Sequence, residues 1–305
     1  MESLLNQEVL YAWSTPFFVL FILFEIAISS FTHQKNYNFK DTVTNVYFAF
    51  LNIGLDLVMK VFSFFILGFF YQYQFLTWGN QNWLYWVIVL VFQDFLYYLH
   101  HYVDHNSRFF WAVHVTHHNS EFYNLSTGFR SPVFQPLYRY FFFIPMAIVG
   151  IEPLHIIFAY ASNQIYGVFC HTNFIKSDLG WWGKIFITPS HHRVHHASNT
   201  KYLDKNLGMV FIIWDKLFGT FQAEESTKEY EKIKYGLRKE LNNKGPVNII
   251  FHEWNALLKD FLSTKKHLDI KTRFKYVFYR PGWSHVGSTK TSKELQQVLK
   301  QKKQP

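Results

Sequence analysis

The sequence predicts an all-α integral membrane protein with a histidine-rich helical cap on the cytoplasmic side of the bilayer. Aromatic residues make up 21% of the 305 residues, and many of them lie in long apolar runs. Mean hydropathy is nevertheless close to zero, at −0.05, so these runs must alternate with polar stretches outside the bilayer. In addition, 12 of the 16 histidines fall between His100 and His196, which is too concentrated for scattered surface residues.

About five apolar segments are expected to contact the bilayer interior, where a spanning helix needs roughly 17–25 residues. No basic region precedes the first segment and no small-residue cleavage site follows it, so we interpret it as a retained transmembrane helix. The fourth and fifth are joined by the short turn IEPL and predict a helical hairpin that dips into or across the bilayer. The five segments are Phe17–Phe31, Val43–Tyr71, Trp83–Leu99, Pro132–Gly150 and Leu154–Cys170.

Ionisable side chains within these segments are costly in lipid, so each is expected to face other helices or a cavity. For Glu25, in the first segment, the sequence favours a structural hydrogen-bonding role. Asp56 and Lys60 lie four residues apart in the second segment, a spacing that places them on one helix face and predicts an internal pair.

After Trp182 no apolar run is long enough to span a bilayer, and the chain is polar and charged from Phe221 onward. This change in composition divides the chain into a membrane-embedded catalytic domain, residues 1–222, and a polar cytoplasmic C-terminal region, residues 223–305. Within the latter, Val247–Leu262 is predicted to be helical.

Charge placement predicts the orientation. The formal charge is +9, and the basic residues cluster in loops that five spans would place on one face of the membrane, together with the histidines. The positive-inside rule then puts the histidine clusters and the C-terminus in the cytoplasm. We find no recognition motif for nucleic acid, so the basic charge is interpreted as a membrane-facing feature and not as a nucleic-acid surface.

The histidines recur at helical spacing. His101 and His105 lie four residues apart, and the pattern HxxHH occurs twice, at 114–118 and at 192–196. Because residues three and four apart share a helix face, we expect one converging pair and two converging trios. Neutral imidazole suits Fe, Zn, Cu and Ni, and eight such ligands exceed what one metal can use, so the pattern predicts two metals. The single cysteine, Cys170, excludes a multi-cysteine zinc site.

Three further residues are candidates close to these clusters. His171 follows the fifth apolar segment and is a candidate ninth ligand. His191, four residues before His195, competes with His192 for the ligand role, and the HxxHH repeat favours His192. Asp94 lies seven residues before His101 on the same face and is a candidate acceptor for the N–H of a ligating imidazole.

The clusters HHYVDH, HVTHH and HRVHH resemble the three histidine boxes of the fatty acid hydroxylase/sterol desaturase superfamily of membrane di-iron enzymes. The segments WAVHVTHHNSEFYNLSTGFRSP and TPSHHRVHH, followed by YLDKNLGMVFIIWDKLFGTF, resemble in particular its alkylglycerol monooxygenase branch. One departure is Tyr102, where many members have Arg. The resemblance implies that the iron ligands are His101, His105, His114, His117, His118, His192, His195 and His196.

The resemblance further implies an oxidoreductase that uses O₂ to hydroxylate a lipid C–H bond. In the resembling branch the substrate is an alkylglycerol ether lipid, which is cleaved to a fatty aldehyde and a glycerol derivative, with tetrahydropterin as external electron donor. Asp204, in the recurring DKN segment, is a candidate to brace the third histidine box. Sterol, fatty-acid or carotenoid hydroxylation and desaturation remain alternatives, as does a histidine-rich membrane metal transporter.

Overall fold

The computed structural model of the protein describes residues 7–79, 81–262 and 268–302. Within these ranges the chain folds into helices and loops, and the only β contact is an isolated bridge between Phe186 and Phe211. The predicted all-α class is confirmed. The α-helices in chain order are α1 (Gln7–Phe31), α2 (Phe39–Tyr71), α3 (Trp83–Asn106), α4 (Arg108–His118), α5 (Ile144–Ile148), α6 (Pro153–Phe169), α7 (Trp181–Ile185), α8 (Pro189–His196), α9 (Ile213–Phe218), α10 (Pro246–Leu262), α11 (Ile270–Phe278) and α12 (Ser292–Gln301).

Three of these helices, α1, α2 and α3, are long and apolar enough to cross a membrane. Helix α2 leaves much of its apolar surface uncovered, and its Phe50, Ile53 and Leu57 are each at least 60% exposed. An apolar surface of this extent is costly in water and fits a lipid environment. The structure is therefore that of a membrane protein, and the expected total of five membrane segments stays a prediction.

The fourth apolar segment differs from the continuous helix that the sequence predicts. It consists of two 3-10 helices, Gln135–Leu137 and Arg139–Phe143, followed by the short α5. Pro136 and Pro145 lie within this stretch, and a proline interrupts the hydrogen bonding of a longer helix. The fifth segment forms α6, with Pro153 at its first position, so the predicted hairpin has only one continuous helical arm.

Helix α3 lies at the centre of the protein and carries the first histidines. Its Val89 and Tyr97 pack in the main apolar core against Ile156 and Tyr160 of α6. The helix continues without a break beyond Leu99, the end of the predicted segment, to Asn106. The first histidine box is therefore a continuation of a membrane helix, which fixes its distance from the bilayer.

Buried charges connect the membrane helices to the loops near the histidines. Glu25 of α1 accepts hydrogen bonds from the backbone N–H of Leu125 at 2.8 Å, from the Thr172 hydroxyl at 2.6 Å and from the Tyr37 hydroxyl. The structural role expected for Glu25 is confirmed. Asp56 accepts a hydrogen bond from Arg139, a partner that its spacing from Lys60 did not indicate.

The C-terminal region packs against the membrane helices and α4. Ile249 and Ile250 of α10 share an apolar cluster with Phe48 of α2. Arg108, the first residue of α4, donates hydrogen bonds to Glu253 at 2.7 Å and to Asp260 at 2.6 Å, both on α10. Helix α10 thus supports the helix that bears the second histidine box. The domain boundary at residue 222 stays a prediction.

Candidate metal centre

Eight buried histidines and the partly buried His117, from α3, α4, α8 and the segment just after α6, form two adjacent groups. Within each group the potential ligand nitrogens all lie within 4.8 Å of one another. Group one consists of His101, His105, His114, His118 and His195, and group two of His117, His171, His192 and His196. The structure therefore brings together all eight histidines of the three boxes and adds His171.

Each HxxHH segment contributes to both groups, instead of forming the single converging trio that we expected. On α4, His114 and His118 face group one, whereas His117 faces group two. The reason is that consecutive residues of a helix point about 100° apart, so His117 and His118 diverge although both lie near His114. On α8, His195 faces group one, and His192 and His196 face group two. The two helices thus hold the groups side by side.

Four of the outer ring nitrogens are fixed by backbone carbonyls. Nδ1 of His101 lies 2.7 Å from the Leu207 carbonyl oxygen, and Nδ1 of His195 lies 3.0 Å from that of Lys205. In group two, the corresponding distances are 3.0 Å from His117 to the Arg130 oxygen and 2.9 Å from His171 to the Gly167 oxygen. A carbonyl can only accept, so Nδ1 carries the proton and Nε2 carries a free lone pair.

These lone pairs point at one another. His171 Nε2 lies 3.4 Å from His117 Nε2, and the two nitrogens cannot hydrogen-bond because the other nitrogen of each ring holds the proton. In the described chain, Nε2 of His105 and Nε2 of His195 are buried with no hydrogen-bond partner. Converging acceptors without donors are the arrangement that a metal ion stabilises, and imidazole is a ligand suited to iron. The residues present therefore fit a metal centre.

Burial keeps these imidazoles neutral, as metal ligation requires. It lowers the pKa of His117 to about 4 and the pKa of His171 to about 3. Burial, followed by the proximity of other histidines, also lowers the pKa of His195 and His196 well below the ordinary value of 6.5.

His191, the residue that the sequence weighed against His192 as a candidate ligand, lies outside both groups. It is the third residue of α8, where its backbone N–H donates to the Thr188 hydroxyl while its Nδ1 accepts from the Thr188 N–H at 3.3 Å. This reciprocal capping box occupies Nδ1 of His191. His192, the next residue, points into group two.

Asp94 has a different role from the predicted one. Its carboxylate accepts hydrogen bonds from the backbone N–H of Val210 and Phe211 and from the indole N–H of Trp214, at 2.9 to 3.0 Å, and not from an imidazole. These bonds fix the segment that follows Leu207, whose carbonyl accepts from His101. Asp94 thus acts on the histidines through the backbone.

Asp204 contacts a ligand candidate, but in the first histidine box and not in the third as we expected. Its Oδ1 lies 3.2 Å from Nδ1 of His105, and its other oxygen accepts from the Ser292 hydroxyl. The neighbouring Lys205 carbonyl serves His195 of the third box. Asp204 and Asn206 both have left-handed backbones, with φ of 53° and 52°, so this loop turns sharply enough to serve both boxes.

One carboxylate near the histidines was missed in the sequence. Asp104 is fully buried, its Oδ2 lies 3.5 Å from Nδ1 of His114, and it accepts hydrogen bonds from the Tyr138 hydroxyl and the Gln135 amide. A signal existed, because Asp104 follows His101 by three residues and therefore shares its helix face. The histidines that bond to backbone carbonyls have no such signal, because a backbone carbonyl does not depend on the type of side chain.

A cavity of about 440 Å³ joins the two histidine groups to the membrane helices. One wall is formed by His101 and His114 of group one and by His117, His171 and His192 of group two. The apolar part of the lining includes Phe18 of α1 and Ile53 and Leu57 of α2. A cavity of this size accommodates a small organic molecule or part of a lipid chain.

Residues 86–220 match the family model described as fatty acid hydroxylase. This range contains all three histidine boxes and His171, and the chain therefore carries a fatty acid hydroxylase domain. The chain is 34% identical over 277 residues to human alkylglycerol monooxygenase and 33% identical over 297 residues to the protein of that name from Caenorhabditis elegans. It is also 29% identical over 196 residues to ornithine lipid hydroxylase OlsE of Rhizobium tropici.

The alignments cover 88% of this chain for the human relative and 91% for the C. elegans relative. The chain spans 59% and 55%, respectively, of the length of those two proteins. For the R. tropici relative the alignment covers 56% of each chain. No solved structure matches the chain.

Proposed function

We propose that this protein is a membrane di-iron monooxygenase that uses O₂ to hydroxylate a lipid C–H bond. The observation that carries the proposal is the pair of adjacent, buried imidazole groups, with five and four histidines, that open onto a cavity between membrane helices. One metal would bind the five histidines of group one and a second metal the four of group two. Iron supplies the reactivity toward O₂ and unactivated C–H bonds that amino-acid side chains lack.

The preferred substrate is an alkylglycerol ether lipid. The names of the human and C. elegans relatives support this choice, and the R. tropici relative is also named for a lipid. Hydroxylation would insert one oxygen atom of O₂ into a C–H bond of the carbon that bears the ether oxygen. The second oxygen atom leaves as water after uptake of two electrons and two protons. The resulting hemiacetal divides into a fatty aldehyde and a glycerol derivative.

Two electrons must come from outside the chain. We propose tetrahydropterin as the external donor, on the basis of the resemblance to the alkylglycerol monooxygenase branch.

The residues of this chain orient the ligands and exclude water. Backbone carbonyls hold the proton on Nδ1 of His101, His117, His171 and His195, so that Nε2 of these four rings remains free to bind metal. The apolar walls near Phe18, Ile53 and Leu57 would hold the lipid chain and place its C–H bond beside the histidines. Lipid would reach the cavity laterally from the bilayer.

We also propose that the histidine groups and the C-terminus face the cytoplasm, with residues 1–222 as the catalytic domain and 223–305 as a cytoplasmic region. Support comes from the basic loops on the histidine side of the membrane segments, which the positive-inside rule places in the cytoplasm.

The alternatives within the same chemistry are hydroxylation of a sterol or fatty acid, desaturation, and oxidation of a carotenoid ring. A metal transporter is the alternative of another class. Transporters bind their ions near the bilayer midplane along a pathway. Here His101 and His105 lie in the last turns of α3, at the end of a membrane helix, which favours the enzyme.

The experiment is an assay of the full chain in lipid nanodiscs with alkylglycerol, O₂, tetrahydropterin and added iron. We expect fatty aldehyde to form together with O₂ consumption, and the matched variant His114→Ala to form none. Sterol and fatty-acid substrates are tested in parallel. The enzyme proposal would be overturned if no preparation formed aldehyde and the protein instead bound iron and transported it across vesicle membranes.

A further inference from the structure

An apolar stripe runs along the exposed face of α10. Val247 is 68% exposed, Leu258 53% and Leu262 57%, and Phe251 lies between them on the same side. Their spacing of four, seven and four residues keeps all four within about 60° of one another around the helix. The opposite side of α10 is already buried, through Ile249, Ile250 and Leu257. The stripe is therefore a second apolar surface that the fold leaves uncovered.

Helix α11 repeats this arrangement. Ile270, Phe274 and Phe278 follow one another at four-residue intervals and are each at least 50% exposed. Lys271 and Lys275 are exposed beside this stripe, about 100° from Ile270 and Phe274, and Lys259 holds the same position on α10. Apolar rings flanked by lysines are the composition of helices that lie in a membrane surface, where the lysine amines reach the head groups.

The two helices also pack against elements that fix their place relative to the bilayer. On α10, Phe251 contacts Phe134 of the fourth apolar segment, with ring centroids 5.9 Å apart, and Ile249 packs in the cluster that includes Phe48 of α2. On α11, the Phe278 ring lies 5.9 Å from that of Phe109 on α4. Both helices therefore pack, through other side chains, against elements next to the membrane segments, and their apolar stripes stay exposed.

We propose that α10 and α11 form an interfacial membrane contact on the histidine side of the bilayer. The apolar stripes would insert to the depth of the glycerol and upper acyl region, while Lys259, Lys271 and Lys275 contact anionic head groups. Because Arg108 ties α10 to the first residue of α4, this contact anchors the second histidine box to the membrane surface. Helices α10 and α11 are then membrane-bound, whereas the polar helix α12 of the same region is not.

The test measures the depth of nitroxide labels in the full chain, reconstituted in nanodiscs that contain phosphatidylcholine and phosphatidylserine. Labels are attached at Leu258→Cys and Phe274→Cys. Labelling of the native cysteine is low because Cys170 is buried. The matched control is Gln297→Cys, an exposed position on the polar helix α12. Collision rates with O₂, which concentrates in the bilayer, are compared with those of a water-soluble nickel chelate.

We expect the O₂-to-nickel collision ratio at positions 258 and 274 to exceed that of the control at least several-fold. A ratio equal to the control at both positions would overturn the proposal. Strong spin–spin broadening at these positions, in nanodiscs that each hold two copies of the chain, would also overturn it. That result would assign the stripes to contact with a second copy. If either variant fails to fold, Leu262→Cys and Phe278→Cys test the same two stripes.

Discussion

The carboxylate of Asp104 lies 3.5 Å from Nδ1 of His114, and both side chains are buried. The Tyr138 hydroxyl, at 2.7 Å, and the Gln135 amide, at 3.1 Å, orient this carboxylate. A carboxylate beside the outer nitrogen of a metal-binding imidazole fixes its tautomer and raises its basicity. His114 is the one member of group one whose outer nitrogen faces a fully buried carboxylate in the described chain, so Asp104 is the strongest candidate for tuning the metal.

Replacing Asp104 with Asn removes the carboxyl group while preserving the shape of the side chain. We expect Asp104→Asn to lower iron affinity or activity by roughly 10–100-fold, the usual cost of losing a partner of a metal ligand. Iron per chain and aldehyde formation are measured together. The control is Glu240→Gln, whose side chain is 77% exposed and far less constrained. Equal iron content and activity in the two variants would show that Asp104 has no such role.

The adjacent residues His191 and His192 are expected to have opposite effects on iron content when each is replaced with alanine. His192→Ala removes a nitrogen of group two and should abolish iron binding at that group. His191→Ala removes half of a capping box, so it should lower the free energy of unfolding by about 1 kcal/mol and leave the iron content unchanged. Metal analysis and thermal unfolding of both variants decide the assignment. It is reversed if His191→Ala loses iron and His192→Ala keeps it.

Acidification should destabilise the metal-free protein and release the metal. The ordinary histidine pKa of 6.5 applies to the unfolded chain, whereas burial lowers the pKa of His117 to about 4 and the pKa of His171 to about 3. Between these values the unfolded state binds more protons, so stability is fully present above pH 6.5 and is lost as the pH falls toward 4. We expect both the unfolding temperature and bound iron to fall across that window. Values that stay constant from pH 7 to pH 5 would contradict the prediction.

Glu25 is expected to stabilise the fold without affecting the chemistry directly. Glu25→Ala leaves the Leu125 N–H and the Thr172 hydroxyl without their buried acceptor, at a cost of about 1–3 kcal/mol for each unpaired group. Thermal unfolding in nanodiscs measures the loss, and Glu25→Gln, which retains an acceptor oxygen, serves as the milder comparison. An unfolding temperature equal to that of the wild-type protein would show that these bonds contribute little.

The sequence predicted the histidine groups well because their spacing is local. His101 and His105 share a helix face whatever the rest of the chain does, and the fold then brings α3, α4 and α8 together. The partition into two groups was not predictable, because it depends on how α4 and α8 face each other across the site. The carbonyl partners of His101 and His195 were missed for a related reason: every residue has a carbonyl, so composition carries no signal.

The remaining differences also come from tertiary contacts. Asp94 lies on the expected face of α3, but its carboxylate accepts hydrogen bonds from three N–H groups of the segment after Leu207 and not from an imidazole. The fourth apolar segment has the composition of a membrane helix, yet Pro136 and Pro145 divide it into short turns. The exposed apolar stripe on α10 was not predicted, because the composition of the surrounding region is polar on average.

Two irons are expected in this protein, one bound by each histidine group. The most direct measurement is the iron content per chain of the purified protein, compared with His105→Ala of group one and His196→Ala of group two. We expect two irons in the wild-type protein and the loss of at least one in each variant. A single iron in the wild-type protein, or two irons that survive the His196→Ala substitution, would contradict it.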